Sequence, residues 1–381
     1  MPEQISAATP TGRSRALDGL RGWAAVLVVF FHAVFAMGDK AFKSMLYPEI
    51  WRLTNAGESA KAVIFILNGQ TAVSLFFLLS GAVLFRSLRR EKQRPITFVT
   101  FPLQRAFRIY PGLATAMILA WVVAWIMAAN WPSTFVAHPL TVLFTDIALF
   151  TTRLVGLTYT LQAEMLAVPF FLATALLLAW NRYIGSIVVI AFAIGLTIYP
   201  LPVVPSFFSV LLIFFAMGIF VTGRAGEVAA RWLAPVWPLL LLGFVFYRAF
   251  VPYWAWYALF GQALFGFALL SVAYHRRTSL NPLLESAVSQ FLGRISYSLY
   301  LVNAPFLFIL LKLVGPQPAL TDHPLLTGGT IAIVVLAVAI PLAWLNERYV
   351  ERPGIRLGHW VRDRLTRARP AEAAVVPAVA T

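Results

Sequence analysis

Long apolar runs, interrupted by short clusters of turn residues and charges, make up most of this chain. Each run is about 17 to 24 residues long, the length that an α-helix needs to cross a hydrocarbon core of about 30 Å. A transmembrane barrel would need alternation at every second position, which these runs do not show. The pattern predicts an all-α integral membrane protein, a bundle of about ten transmembrane helices. The runs lie near residues 18–37, 61–85, 109–129, 157–180, 184–200, 203–221, 232–250, 253–273, 291–313 and 327–347.

The composition supports a membrane protein and gives no indication of a second domain. Of the 381 residues, 60% are hydrophobic and 12% are charged, and the mean hydropathy is +0.79. Soluble domains carry about 25% charged residues. We predict an N-terminal tail over 1–16, a transmembrane domain over 17–350 and a basic, partly disordered tail over 351–381. Cysteine is absent, which excludes disulfides and thiolate chemistry.

Basic residues are distributed unevenly between the two predicted faces. The chain has 30 Lys and Arg against 15 Asp and Glu, a net charge of +15. Most of these bases fall on one side if the N-terminus is cytoplasmic, so the positive-inside rule predicts that both termini are cytoplasmic. Contact with anionic membrane lipids then explains the charge, and no nucleic acid partner is needed. The main clusters are Arg86, Arg89, Arg90, Lys92 and Arg94, and then Arg352, Arg356, Arg362, Arg364, Arg367 and Arg369.

The first apolar run carries polar residues on one helix face. At 100° per residue, Asp18, Arg21 and His32 lie on one stripe, with the small or slender residues Ala25 and Val28 between them. At 1.5 Å per residue, Arg21 and His32 are about 16 Å apart along the axis. Arg21 is expected at the inner boundary, and His32 about 8 Å below the outer one.

The fourth run contains Glu164, the only acid well inside a predicted span. If this run starts at residue 157 on the outer side, Glu164 lies about 10 Å below that boundary. His32 and Glu164 are therefore expected to meet at similar depth. Intramembrane ionisable groups are usually functional, which favours a proton-handling pair, and the alternative is a polar pair that clamps two helices.

Two further groups of polar residues lie in or beside the spans. Arg105 and Arg108 share a helix face at the inner end of the third run, where they could bind phosphates or only snorkel to the interface. Ser296, Tyr300 and Asn303 share a face of the ninth run and either line a cavity or bond neighbouring helices. No metal-binding, nucleotide-binding or serine-hydrolase motif is found, and no metal is expected. The other histidines are interpreted as ordinary surface residues: His138, His275, His323 and His359.

Six short motifs follow one another along the apolar region: "LDGLRGWAAVLVVFFH", "FFLLSG", "RAFRIYP", "TLQAE", "ISYSLYL" and "ERPG". In this order they resemble the membrane-bound acyltransferase 3 family, O-acyltransferases that modify bacterial surface polysaccharides and related hydroxyl-bearing molecules. Arginine followed by ten residues and histidine is the signature of that family's first span.

The resemblance implies an O-acetyltransferase-like enzyme of the bacterial inner membrane. Its donor substrate would be acyl-CoA, often acetyl-CoA, on the inner side, and its acceptor a carbohydrate or glycan reached from the outer side. By position, Arg21, Arg105 and Arg108 would bind coenzyme A. His32 and Glu164 would be catalytic, with His32 as general base and Glu164 orienting its ring.

The same resemblance assigns Ser80, Tyr159, Tyr300 and Asn303 to substrate binding. Two positions depart from the pattern, since many relatives have histidine in place of Asn303 and tryptophan in place of Tyr159. The acceptor contacts could therefore differ from the common type. Because no large outer domain is found, a separate outer-side partner protein is considered. A proton-coupled transporter that uses His32 and Glu164, and a non-catalytic membrane scaffold, are the alternatives.

Overall fold

The computed structural model describes residues 14–37, 44–53, 55–90, 95–202, 204–276, 278–314 and 323–367. Within these residues all regular structure is helical and no strand is found. The tails beyond residues 14 and 367, and the predicted inner residues Lys92 and Arg94, lie outside them. The helices are α1 Arg15–Met37, α2 Asn55–Ile66, α3 Gly69–Arg90, α4 Thr97–Asn130, α5 Leu140–Ile147, α6 Tyr159–Trp180, α7 Arg182–Ile198, α8 Ser206–Val221, α9 Arg224–Leu233, α10 Trp237–Phe246, α11 Trp256–His275, α12 Asn281–Leu284, α13 Ala287–Val314, α14 Pro324–Asn346 and α15 Arg352–Arg367.

The helices agree with the apolar pattern. Two apolar helices that are shorter than a usual span, Arg182–Ile198 and Ser206–Val221, coincide with the fifth and sixth predicted runs. All ten predicted runs thus fall on helices, and the prediction of an all-helical, multi-pass membrane protein is confirmed. The number of helices that cross, and the side of the termini, stay predictions. Among the described residues, eight stretches are long and apolar enough to span a bilayer: Arg15–Ala36, Lys61–Arg89, Thr97–Asn130, Gly156–Trp180, Arg224–Ala249, Trp256–His275, Ala287–Val314 and Leu325–Thr366.

Helix α1 is a central element, in contact with α3, α13 and α14. It approaches α13 so closely that a Cβ atom on Gly22 would lie 2.4 Å from the backbone nitrogen of Gly293. Only small residues permit two helix backbones to come this near. The contact fixes α1 against α13, and α1 carries both polar side chains of the predicted first-span signature.

We call the end of the bundle that holds the start of α1 the inner end and the opposite end the outer end. The inner end is extended by α4 and α15. Helix α4 begins at Thr97, about twelve residues before the predicted apolar run, because its amphipathic first turns pack against α15. A five-residue π-helical turn, Glu347–Glu351, joins α14 to α15 without a break. These two extensions bring charged residues from distant parts of the chain, Arg105 and Arg108 on α4 and Glu351 before α15, to the inner end of α1.

Candidate active site

Arg105 and Glu164 form a buried ion pair between α4 and α6. The Arg105 guanidinium bonds the Glu164 carboxylate, and the two residues are 6% and 9% exposed. The Ser80 hydroxyl on α3 donates to the other carboxylate oxygen at 2.6 Å. Three helices are joined at this carboxylate, and a buried pair with its oxygens satisfied in this way costs far less than a buried lone charge.

A second acid, Glu351, faces the same arginines from the π-helical turn. Glu351 accepts a hydrogen bond of 3.1 Å from the Ser298 hydroxyl on α13 and is 4% exposed. Its carboxylate acts electrostatically on Arg21 and Arg108. Arg21 is also within electrostatic reach of Glu164. We call this group of three arginines and two carboxylates the arginine cluster: Arg21, Arg105, Arg108, Glu164 and Glu351.

The packing of α3 on α1 gives the depth of the arginine cluster. A Cβ atom on Gly69 would lie 2.5 Å from the Phe31 ring, so the start of α3 is level with the outer part of α1. Because α3 runs antiparallel to α1, Ser80 lies about 16 Å further inward. Arg21 precedes Phe31 by about 15 Å of helix. Ser80, Glu164 and Arg21 are therefore at one level.

The predicted meeting of His32 and Glu164 is therefore wrong. Glu164 lies at the level of Arg21, about 16 Å along the axis from His32. His32 is half-buried and packs edge-on to the Phe31 ring at 5.3 Å between centroids. Burial is the main influence on the charge of this imidazole, and no acid of the described residues interacts with it electrostatically. Glu164 is therefore too far away to orient this imidazole, contrary to what the resemblance implies.

The error has a structural cause at the start of α6. The prediction placed residue 157 at the outer boundary, but Leu157 and Thr160 are buried inside the bundle. The Tyr300 hydroxyl donates to the Leu157 carbonyl at 2.9 Å, and the Thr160 hydroxyl donates to Tyr300 at 3.0 Å. Helix α6 thus begins deep in the protein beside the middle of α13. Glu164, one turn later, reaches the inner half.

The residues predicted to bind substrate are divided between several places. Ser80 belongs to the arginine cluster, and Tyr300 joins α13 to α6. The Asn303 amide donates to carbonyls of its own helix at 2.7 and 2.8 Å, while its buried side-chain oxygen has no partner among the described residues. Tyr159 lines a cavity between α3, α6 and α8.

The charge of the arginine cluster suits an anionic ligand. It has one more positive than negative group, and the Nε atom of buried Arg105 has no acceptor within the described chain. Glu164 already fixes Arg105, so half-buried Arg21 and Arg108 are the guanidiniums best placed to bind phosphates. Where the structure describes side chains, no group of three acids or histidines could ligate a metal ion.

Sequence reasoning missed Glu351 and Ser298 as members of this site. Both lie in motifs that carried the resemblance, "ERPG" and "ISYSLYL". Glu351 was counted with the cytoplasmic tail because it follows the last apolar run. The π-helical turn instead continues α14 and directs Glu351 into the bundle.

Comparison with known proteins identifies a family for most of the chain. No curated protein and no solved structure matches the chain. A family model described as an acyltransferase domain matches residues 14–345. This range includes α1 to α13, all but the last residue of α14, and every residue of the arginine cluster except Glu351. The chain is therefore a multi-pass membrane protein that belongs to the acyltransferase 3 family.

Proposed function

We propose that this membrane acyltransferase moves an acyl group, acetyl in the simplest case, from acyl-CoA on the inner side to a hydroxyl group of a carbohydrate or glycan acceptor. The acceptor reaches the site from the outer side of a bacterial inner membrane. One observation carries the proposal: a buried arginine cluster lies at one end of α1, and His32 lies about 16 Å away on the same helix.

The donor would be held by its phosphates. Arg21 and Arg108 offer guanidinium groups that bind phosphate in a bidentate way, and the cluster's surplus positive charge favours an anion. The buried ion pair of Arg105 and Glu164, which the Ser80 hydroxyl also contacts, would keep Arg21 and Arg108 in position. The extended arm of coenzyme A would then span the distance from the cluster to His32 and bring the thioester there.

His32 would act as general base in the transfer. Its imidazole accepts the proton of the acceptor hydroxyl while that oxygen attacks the thioester carbonyl carbon. The new C–O ester bond forms, the C–S bond breaks, and the coenzyme A thiolate takes up the proton from the imidazolium. No acid of the described residues pairs with His32, and an imidazole without an acidic partner is mostly neutral near pH 7, the form that accepts a proton.

The test uses purified full-length protein in detergent with radiolabelled acetyl-CoA and a mixture of candidate glycans. The parent protein is expected to acylate an acceptor without any membrane gradient. His32→Ala should lower the rate by about 10² to 10⁴-fold, the usual contribution of a general base, and leave thermal unfolding unchanged. The matched control is His359→Ala, because His359 is exposed on α15. Full activity of His32→Ala would exclude this residue from the chemistry.

A further inference from the structure

A second polar region lies at the opposite end of the bundle from the arginine cluster. A cavity of about 330 Å³ opens between the starts of α3, α6 and α8 and the loop before α11. This volume is within the range of small-molecule sites. Gln70, which lines the cavity, directly follows Gly69, the residue packed on Phe31. The cavity is therefore close to the level of His32.

The cavity contains a buried cation, Arg248, which is 2% exposed. Its Nε and Nη2 atoms donate to the Tyr253 carbonyl at 2.9 and 2.6 Å, and its Nη1 atom donates to Gln262 at 3.3 Å. The Tyr253 ring lies 3.6 Å from the guanidinium carbon. A guanidinium has five N–H donors, so two of them have no acceptor among the described residues.

No carboxylate of the described chain neutralises Arg248. Its electrostatic neighbours are the phenols Tyr253 and Tyr47. Burial raises the pKa of the Tyr253 hydroxyl, so this phenol stays uncharged near neutral pH. A buried, permanently charged guanidinium is costly unless it is paired, which makes an anionic ligand favourable here.

The remaining walls suit a sugar ring. Tyr159, Phe207 and Trp254 supply aromatic faces, and Ser74 and Ser206 supply hydroxyl groups. Aromatic rings with polar edges bind ligands that have both apolar and polar surfaces.

We infer that this cavity binds an oxyanion, a carboxylate or phosphate carried by the sugar acceptor, with the guanidinium of Arg248 as its counter-charge. The inference rests on the proposed function for the identity of the acceptor. It predicts that the enzyme prefers acidic saccharides to neutral ones. The acceptor hydroxyl would then be presented at the level of His32.

Equilibrium dialysis of the purified full chain, without acyl-CoA, tests the inference separately from the reaction. The probes are glucuronic acid, its neutral methyl ester, glucose 1-phosphate and glucose. Glucuronic acid or glucose 1-phosphate should bind at least about tenfold more tightly than the neutral sugars, as expected for a hydrogen-bonded charge. Which of the two anions binds better distinguishes a carboxylate acceptor from a phosphate acceptor.

Two variants locate the binding. Arg248→Gln should abolish the preference for the anion, whereas Arg248→Lys should retain part of it. If Arg248→Gln fails to fold, Val210→Phe provides the test, because the partly buried Val210 lines the cavity and its enlargement should block the probes without touching Arg248. His32→Ala should bind like the parent. Equal binding of charged and neutral sugars, or unchanged binding in Val210→Phe, would overturn the inference. Anion binding without any acyl transfer would instead reject only the proposed function.

Discussion

The two ends of the bundle hold buried arginines in opposite ways. In the arginine cluster, Arg105 is paired with Glu164, and Glu351 lies within electrostatic reach of its neighbours. At the other end, Arg248 is held by a carbonyl, an amide and aromatic rings, without an acid from the described residues. An arginine that is paired with a carboxylate helps to hold helices together, whereas an arginine without an acidic partner can neutralise an anionic ligand. Arg105 thus has a structural role, whereas ligand binding is the role proposed for Arg248.

Removal of Arg105 should have the largest effect on stability. Arg105→Ala leaves a buried carboxylate without its cation and is expected to lower the free energy of unfolding by about 3 to 5 kcal/mol. Thermal unfolding of the purified protein measures this change. The control is Arg362→Ala on α15, which breaks a partly exposed pair with Asp363 at 2.8 Å and should cost less than about 1 kcal/mol. Equal effects of the two variants would show that the buried pair does not hold the inner helices together.

Removal of Arg108 should act on the donor rather than on the fold. Arg108→Gln is expected to raise the KM for acyl-CoA by about 10- to 150-fold and leave kcat nearly unchanged, since one charge-assisted phosphate contact is worth about 1.5 to 3 kcal/mol. Steady-state kinetics with acetyl-CoA measure both constants. Arg356→Gln is the matched control, because Arg356 is an exposed inner arginine on α15. If both variants behave alike, Arg108 is only one of many interfacial cations.

Removal of the Ser80 hydroxyl should have a smaller effect on stability than removal of Arg105. Ser80→Ala deletes one hydrogen bond to the Glu164 carboxylate and should cost about 1.5 to 3 kcal/mol of unfolding free energy, at the low end if water replaces the hydroxyl. Thermal unfolding and the KM for acyl-CoA are both measured. Ser74→Ala serves as the comparison, since the Ser74 hydroxyl bonds only within its own helix. A larger loss in Ser74→Ala would contradict the clamping role given to Ser80.

The helices could be predicted from the sequence because a lipid-spanning segment must be both apolar and long. Arg21, Arg105 and Arg108 could be predicted as one inner group, because they sit at the inner ends of their runs. The depth of Glu164 could not be predicted from the sequence, because hydropathy does not reveal that the chain before α6 lies inside the bundle. Arg248 has no sequence signal, since its burial depends on a loop that folds back over it.

The close contact of Gly22 with Gly293 has a consequence for the choice of donor. With no room for a side chain between them, α1 cannot slide along α13 without separating the two backbones. Arg21 and His32 both lie on α1, so their spacing is a fixed length and the contact with α13 holds both residues in place. Under the proposed mechanism, a compact activated acyl compound such as acetyl phosphate would be too short to touch both ends. Only a carrier whose charged head and reactive carbon are separated by a long tether would serve.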